Sequence, residues 1–592
     1  MLKKFFISVL GTITGIWISV LLIIFGGIML LGVAIAGEAD NTIEIKNKSI
    51  LYLKLSGEIK ERYNPKSNIF EYIQETDGNS LTLNEMLLSL KTAAKDSKIE
   101  GLYIDCQGAS MGMASREELI SAIREFKESG KWIYAYADSY SQGDYIIATE
   151  ADRIFLNPLG SVDIHGIGGA VPFFKGALDK LGVKMQIIKV GTFKSAVEPY
   201  ILTSMSEPAR LQMQQYIDSL WNYCVETVST NRSIAADSIR RLSTELIATW
   251  QAPKFIETHL ADSLCYRREM NNYLGELTNQ KPDELRTVSP SDYLASAKTF
   301  KALEGSKKHV AVLYAVGDIV DSGEGGIVGE TMVPEILKLA DNEKVMGMVL
   351  RVNSPGGSAF ASEQIWEALN YFKSKGKPLY VSMGDYAASG GYYISCGADC
   401  IFADPTTITG SIGVFGMIPE ASELINNKLG IHFSTVESNP NAVGPSIYQA
   451  LSPAMHAALQ RSVENTYDLF TSRVAAGRHM SQDSVKLIAE GRVWVGSKAK
   501  ELGLVDKLGD LEETISAMAE RVNLTSEDYI EYPSVEDEMW LKILRQYGGV
   551  DAVRNDLSSK GLDSETMELL RTIKKLRTAN PIQARMEQIE LH

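Results

Sequence analysis

The stretch "KIEGLYIDCQG" (98–108) recurs in altered form as "KVMGMVLRVNS" (344–354). Each begins with lysine, continues as an apolar run and stops at small or polar residues, a pattern typical of a buried strand that ends in a turn. The two stretches lie 246 positions apart. A strand that recurs at such a distance predicts a duplicated domain.

Other pairs of segments repeat with nearly the same shift, which becomes 247 after one insertion and later returns to 246. They are "GKWIYAYAD" (130–138) with "GKPLYVSMGD" (376–385), "ADRIFLNP" (151–158) with "ADCIFADP" (398–405), and "NRSIAADSI" (231–239) with "GRHMSQDSV" (477–485). This period is far too long for a solenoid, so it indicates one fold duplicated and fused.

The predicted organisation has four parts. Residues 1–40 form a cytoplasmic stub and a transmembrane anchor, 45–300 the first copy, and 305–525 the second copy. Residues 526–592 form a charged, helix-like tail to which the sequence assigns no role.

Within the second copy, strand and helix patterns alternate. "GMVLRVNSP" predicts a strand that ends at Pro355, and "SEQIWEALNYFKSKGK" predicts a helix with Gly376 as its C-cap. "PLYVSMGD" is the next strand, a helix opens just after Ser389, and "CIFADP" is a third strand. Strand and helix in series predict an α/β fold of βαβ repeats with parallel sheets and right-handed crossovers. Functional sites in such folds lie at the carboxyl ends of the strands.

Composition narrows the class of protein. The chain has 592 residues, of which 45% are hydrophobic and 22% charged, as in folded proteins. Its formal charge of −15 argues against a nucleic-acid partner, which would need a basic face.

The first 37 residues carry Lys3 and Lys4 and then no charge until Glu38. The apolar run over residues 5–36 is long enough to cross a bilayer, and it exceeds the apolar core of an ordinary signal peptide. It predicts an uncleaved single-pass anchor; a cleaved signal peptide is the alternative. The two lysines place residues 40 onward outside the cytoplasm. The predicted location of the bulk of the chain is therefore the extracytoplasmic face of a membrane.

A single serine stands among small residues in "GDYAASGGYYIS" (384–395). Small neighbouring residues allow either close packing of the backbone or the approach of a substrate to the serine hydroxyl. A comparison of the two copies favours the second, chemical role. Ser389 corresponds to Gln142 in the first copy, and "NSPGGSAFAS" (353–362) stands against "CQGASMGMAS" (106–115). The first copy therefore lacks both the serine and the glycine pair.

A nucleophilic serine needs a base. None of the seven histidines lies in an acid-paired motif, whereas "VGTFKSAVEPY" (190–200) places Lys194 in a nearly uncharged stretch. The corresponding position in the second copy is Pro440. The complementary losses predict a Ser–Lys dyad formed between the halves. The alternative is that Lys194 is an ordinary surface residue.

The five cysteines suggest neither a disulfide framework nor a metal site. Cys396 and Cys400 are four residues apart without further cysteine or histidine nearby, which favours small buried apolar residues over a zinc site. No metal or cofactor is predicted.

The motifs "NSPGG", "DYAASGGYYIS", "TITGSIGVFG" and "GTFKSAVEP" resemble the long, duplicated form of the signal peptide peptidase A (protease IV) family over roughly residues 45–520. The resemblance implies tandem Clp-protease/crotonase-like domains behind an anchor in the bacterial inner (cytoplasmic) membrane. It implies a serine endopeptidase that degrades released signal peptides and other extended hydrophobic peptides. It also implies a homo-oligomeric ring, with a tetramer favoured.

The resemblance also assigns roles to particular residues. Ser389 is the expected nucleophile, Lys194 the general base and Ser411 the serine that orients the lysine. The oxyanion hole is expected from backbone N–H groups, here those of Gly357 and Gly390.

Two other functions remain open at the level of sequence. A crotonase-like enzyme acting on acyl-thioesters would use a similar oxyanion site, but the predicted anchor argues against it. A non-catalytic scaffold is the other alternative, and the retention of both Ser389 and Lys194 argues against it.

Overall fold

The computed structural model describes residues 45–62, 81–296, 307–323, 325–533 and 582–586. The anchor predicted over residues 5–36 lies outside these ranges. Among the residues that are described, no helix combines the length and the apolar character needed to span a bilayer.

The first copy alternates strands and helices from its first strand onward. Its strands are β1 (Ser49–Glu58), β2 (Ile99–Ser110), β3 (Trp132–Ala137), β4 (Arg153–Leu156), β5 (Lys184–Val190), β6 (Ser263–Leu264) and β7 (Thr287–Val288). Its helices are α1 (Leu83–Lys95), α2 (Met113–Glu128), α3 (Gln142–Ala148), α4 (Lys175–Leu181), α5 (Glu198–Ile201), α6 (Glu207–Arg232), α7 (Ala236–Leu242), α8 (Pro253–Glu257), α9 (Arg267–Thr278) and α10 (Pro290–Ser296), with 3-10 helices at Ser195–Val197, Ile247–Thr249 and Pro282–Glu284.

The second copy repeats this alternation. Its strands are β8 (His309–Val316), β9 (Ile319–Val320), β10 (Ile327–Val328), β11 (Val345–Ser354), β12 (Gly356–Ser358), β13 (Leu379–Ala388), β14 (Cys400–Ala403), β15 (Ile408–Gly410), β16 (Val414–Glu420), β17 (Val493–Val495), β18 (Lys507–Leu508) and β19 (Tyr529–Tyr532). Its helices are α11 (Gly329–Asp341), α12 (Ala359–Ser374), α13 (Gly390–Ser395), α14 (Pro453–Gly477), α15 (Gln482–Ile488), α16 (Gly496–Glu501) and α17 (Leu511–Arg521), with a π-helix at Leu424–Lys428.

Each copy is built on a parallel sheet. The first sheet has the order β6-β4-β3-β2-β1-β7, and every pair in it is parallel. The second follows β17-β15-β13-β11-β8-β19, with β14 beside β13 and only β17 antiparallel. Their central strands are almost wholly buried, as expected of parallel strands covered by helices on both faces. The predicted duplication and parallel α/β class are confirmed.

A third sheet joins the two copies. Its order is β10-β9-β12-β20-β16-β5, where β20 is Ile582–Arg585. Strand β5 of the first copy pairs antiparallel with β16 of the second over its whole length, from Val190 against Val414 to Lys184 against Glu420. This pairing places the loop after β5 beside the loop before β16.

The described residues of the chain beyond 525, which are 526–533 and 582–586, differ from the helix-like tail predicted from sequence. They contain two strands, β19 beside β8 and β20 between β12 and β16. Each strand is only four residues long, and a segment of that length takes its conformation from the neighbouring strand with which it pairs. The second sheet therefore includes chain from beyond the predicted boundary at 525.

Candidate active site

Ser389 occupies the sharp turn between β13 and α13. Its backbone has φ 56° and ψ −113°, which is a strained conformation for a residue with a side chain. Its N–H donates to the carbonyl of Gly410 at 2.8 Å, so the turn is held against the end of β15. A strained strand-to-helix turn that projects a serine hydroxyl resembles the nucleophile elbow of other hydrolases.

The glycines that follow the serine are required sterically. A Cβ on Gly390 would lie 2.8 Å from Ser362 Oγ, and one on Gly391 would lie 2.7 Å from the carbonyl oxygen of Ser354. The small residues around Ser389 thus allow close packing of α13 against the strand ends. Small residues in this motif can therefore serve close packing and also leave room for chemistry at the serine hydroxyl, so the two interpretations are compatible.

Lys194 lies directly after β5 and only 1% of its surface is exposed. Its Nζ donates to Ser389 Oγ at 2.8 Å, to Ser411 Oγ at 3.1 Å and to the Ser411 carbonyl oxygen at 3.3 Å. The surface-residue alternative for Lys194 is therefore wrong. The structure brings together the three side chains that the sequence singled out from separate regions of the chain.

Two glycines that sequence analysis missed make room for this lysine. A Cβ on Gly491 would lie 2.7 Å from Lys194 Cβ, and a Cβ on Gly413 would lie 3.3 Å from Lys194 Cδ. The backbone of Phe193 donates to the carbonyl of Glu490 at 2.9 Å, which fixes the loop that carries the lysine. Gly413 stands in the quoted motif "TGSIGVFG", whereas no local signal in the sequence pointed to Gly491.

Backbone carbonyl groups of residues 491 and 492 contact both the N–H and the hydroxyl of Ser411. It has φ 49°, and its N–H donates to the carbonyl of Arg492 at 2.7 Å. Its hydroxyl lies 3.4 Å from the carbonyl oxygen of Gly491. This arrangement fixes the oxygen that Lys194 contacts.

The predicted oxyanion glycines lie on two segments that touch each other. Gly357 belongs to β12, and Gly390 opens α13; the Gly390 nitrogen is 2.7 Å from where a Cβ on Gly356 would stand. Gly356 has φ +103° and Gly357 φ +155°, so this stretch needs glycine. The oxyanion role of Gly357 and Gly390 stays a prediction.

The corresponding region of the first copy is filled by its own side chains. Gln142, at the position of Ser389, accepts from the backbone N–H groups of His165 and Gly166, both at 3.0 Å. Asp144 accepts from the N–H groups of Gly108 at 2.8 Å and Ala109 at 3.2 Å, at the end of β2. Side chains of helix α3 thus accept hydrogen bonds from backbone N–H groups in this region of the first copy.

The five cysteines are unpaired, and burial raises the pKa of Cys396 to about 12. Among the described residues, no group of cysteine, histidine and carboxylate side chains has the arrangement of a metal site.

Comparison with known proteins agrees with the duplication. The model of peptidase family S49 matches residues 125–281 and again 371–525, and the Clp protease model matches residues 325–405. The chain is 35% identical to "Protease 4" of Haemophilus influenzae over 533 residues, which cover 87% of this chain and 86% of that protein. It is 35% identical to "Protease 4" of Salmonella typhi over 556 residues, which cover 90% of this chain and 86% of that protein.

A shorter relative aligns with part of the chain. It is the "Putative signal peptide peptidase SppA" of Enterococcus faecium, 35% identical over 233 residues, which cover 38% of this chain and 67% of that protein. These matches are to peptidases, so the acyl-thioester enzyme and the non-catalytic scaffold are not supported. The chain belongs to peptidase family S49, and it is a serine-type peptidase.

Proposed function

We propose that this chain is a membrane-anchored endopeptidase that uses a Ser389–Lys194 dyad to degrade released signal peptides and other extended hydrophobic peptides. The observation that carries the proposal is the 2.8 Å contact between Lys194 Nζ and Ser389 Oγ, two groups that are both buried. A lysine amine shielded from water loses the hydration that favours its charged form, so it can serve as a base.

The reaction begins when the neutral amine of Lys194 accepts the hydroxyl proton of Ser389. The Ser389 oxygen attacks the substrate carbonyl carbon, and backbone N–H groups near Gly357 and Gly390 stabilise the developing oxyanion. Lys194 then gives the proton to the leaving amine, and the peptide bond breaks. A water molecule, deprotonated by Lys194, then attacks the acyl-serine ester, and Lys194 returns that proton to the Ser389 oxygen as the ester bond breaks. Ser411 keeps the amine directed at Ser389.

Membrane anchoring rests on the apolar run over residues 5–36 and on the two lysines before it. With this topology, the catalytic region faces the extracytoplasmic side, where released signal peptides lie in or near the bilayer. Protease added to intact spheroplasts should digest the bulk of the chain. A fully protected chain would refute this topology.

A homo-oligomeric ring is supported by the duplication itself. Residues 430–436 correspond to β5, and residues 167–173 correspond to β16, yet neither segment is a strand in the described structure. The first of them exposes apolar side chains, including 98% of Val436. If these two segments pair between chains as β5 and β16 pair within one, the contact is head-to-tail, and its repetition forms a ring when the rotation between successive chains closes.

The test is proteolysis of synthetic signal peptides by the full-length chain in detergent, beside its Ser389→Ala form. We expect the wild type to cut extended apolar peptides, and to cut an unfolded protein faster than its folded form. Ser389→Ala should lose several orders of magnitude in kcat. The matched control is Ser395→Ala, which removes a buried hydroxyl from the far end of the same helix α13. Residual Ser389→Ala turnover above about a hundredth of wild type would point to another nucleophile.

A further inference from the structure

Helix α6 of the first copy carries a buried amide beside the loop that holds Lys194. The amide belongs to Gln212, of which only 4% is exposed. Gln212 lines the same small cavity as Lys194 and Ser411. A buried amide needs partners for its donor hydrogens and for its acceptor oxygen. The partners of Gln212 are all backbone or hydroxyl groups close to the dyad.

The nitrogen of this amide contacts the residues on both sides of Lys194. Gln212 Nε2 donates to the carbonyl oxygen of Phe193 at 3.1 Å and to the Oγ of Ser195 at 2.9 Å. The residue before the lysine and the residue after it are therefore held from a single point on α6. Two such contacts restrict movement of the backbone from which the lysine side chain extends.

The oxygen of the amide contacts the second copy. Gln212 Oε1 accepts from the N–H of Val493 at 3.3 Å. Val493 opens β17 and stands opposite Gly410 in the pairing of β17 with β15. The Gly410 carbonyl in turn accepts from the N–H of Ser389 at 2.8 Å. One side chain thus links the loop that carries the lysine to the strands that hold the serine.

The two backbone partners fix the orientation of the amide. The carbonyl of Phe193 can only accept a hydrogen bond, and the N–H of Val493 can only donate one. A reversed amide would place oxygen against oxygen at Phe193 and N–H against N–H at Val493. A carboxylate lacks the donor that Phe193 needs, and an aliphatic side chain lacks both groups. The position therefore requires an amide.

Helix α6 is itself fixed to the lysine loop at its first turn. Glu198, four residues after Lys194, is buried and accepts from the N–H of Ser206 at 3.0 Å and from its hydroxyl at 2.6 Å. Ser206 is the N-cap of α6. The loop is therefore attached to the helix at two places, and Gln212 is the attachment that also reaches the second copy.

We propose that Gln212 is a positioning residue that keeps Lys194 Nζ within reach of Ser389 Oγ by tying the lysine loop to β17. The inference rests on the proposed function, because it concerns the same dyad. A general base must lie within hydrogen-bond reach of the proton that it accepts, and here the two atoms are 2.8 Å apart. Displacement of such a group by about 1 Å costs roughly a hundredfold in rate.

The first measurement is the rate at which a fluorophosphonate probe labels Ser389 in the full-length chain. The serine oxygen bonds to phosphorus as fluoride leaves, and Lys194 takes the hydroxyl proton, so no peptide substrate is needed. Gln212→Met keeps an unbranched side chain without hydrogen bonds and should label about a hundredfold more slowly. Gln214→Met, at an exposed glutamine of the same helix that donates to Asp218, is the matched control and should label at the wild-type rate.

Lys194→Ala, measured in parallel, separates this inference from the proposed function. If Lys194→Ala labels slowly but Gln212→Met labels at the wild-type rate, the positioning role is overturned and the dyad stands. If Lys194→Ala also labels at the wild-type rate, the dyad fails and the positioning role fails with it. If both variants label slowly but the wild type cuts no peptide, the proposed function fails and the positioning role stands.

The second measurement separates positioning from general stability, through kcat and KM for one apolar reporter peptide. Gln212→Met should lower kcat about a hundredfold and leave KM within about threefold. Ser195→Ala, which removes one acceptor of the amide, should lower kcat by up to about tenfold. The double variant should be no slower than Gln212→Met alone, because the hydroxyl then has no amide to contact.

Two results would overturn the proposal. One is multiplication of the two single losses in the double variant, which would mean that Gln212 and Ser195 act independently. The other is a Gln212→Met chain that loses its circular dichroism signal together with a Ser195→Ala chain whose kcat is unchanged. In that case Gln212 serves only the folding of α6.

Discussion

At the scale of single residues, the site depends on three side chains and the small residues that surround them. Lys194 reaches Ser389 only because glycines at 413 and 491 leave space along its aliphatic chain. Ser389 itself lies in a strained backbone conformation that the packing of α13 maintains. The amine of Lys194 is buried against the hydroxyl groups of Ser389 and Ser411.

Lys194→Ala should abolish peptide hydrolysis while the fold is retained, because it removes the group that we propose accepts the serine proton. We expect kcat/KM to fall by at least about a thousandfold. Lys184→Ala, an exposed lysine at the start of the same strand β5, is the matched control and should retain activity. The rates are measured on one apolar reporter peptide, with circular dichroism to check folding. Activity of Lys194→Ala within tenfold of the control would assign the base elsewhere.

At the scale of secondary-structure elements, a buried polar network connects the copies. Arg351 on β11 is fully buried and pairs with Glu61, and its Nη1 donates to Glu118 on α2 at 2.8 Å and to Ser382 on β13 at 2.9 Å. Glu61 and Glu118 belong to the first copy, and Arg351 belongs to the second. The network therefore fixes the relative position of the two sheets that carry the site.

Arg351→Ala should destabilise the protein by about 3–5 kcal/mol, because it leaves two buried carboxylates without their cation. The control is Arg241→Ala, whose exposed side chain lies 4.0 Å from Glu245 and should contribute less than about 0.5 kcal/mol. Denaturant unfolding measures both. Equal stabilities of the two variants would show that the network is not a structural link between the copies.

Glu117 on α2 provides a pH-dependent contact between the copies. Its carboxylate accepts from Thr406 Oγ1 at 2.8 Å, and burial raises its pKa to about 7. Because the folded-state pKa is above the unfolded one, the folded protein favours the neutral form, and stability is lost as pH rises from about 4.5 towards 7.

Glu117→Gln should therefore become more stable than the parent as pH rises. Between pH 5 and pH 8 the difference in unfolding free energy should grow by about 1–2 kcal/mol. Glu128→Gln, at an exposed position on the same helix, should show no such trend. The measurement is urea unfolding across that pH range, and a constant difference would contradict the raised pKa.

At the scale of the whole molecule, duplication has divided one site between two copies. The first copy keeps the lysine and fills its own site with Gln142 and Asp144. The second copy keeps the serine. Pairing of β5 with β16 then unites the two within one chain.

Mixing Lys194→Ala and Ser389→Ala chains, after dissociation and reassembly, should restore no activity. The 2.8 Å contact joins residues of the same chain, so neither parent contributes an intact dyad. Peptide hydrolysis by the mixture is compared with that of a wild-type sample treated in the same way. Recovery of about a quarter of wild-type activity, the share of intact junctions from random mixing, would place the dyad between chains.

The sequence alone determined the duplication, the alternation of strands and helices within each copy and the pairing of Ser389 with Lys194. Those features are local periodicities or differences between two copies of one pattern, and both can be read without coordinates. Only the tertiary structure decided the β5–β16 pairing, the Arg351 network and the place of β20. Each of these joins segments far apart in the chain. The partner of a short edge strand or a buried charge depends on which surfaces the folded copies bring together, and no local pattern records that.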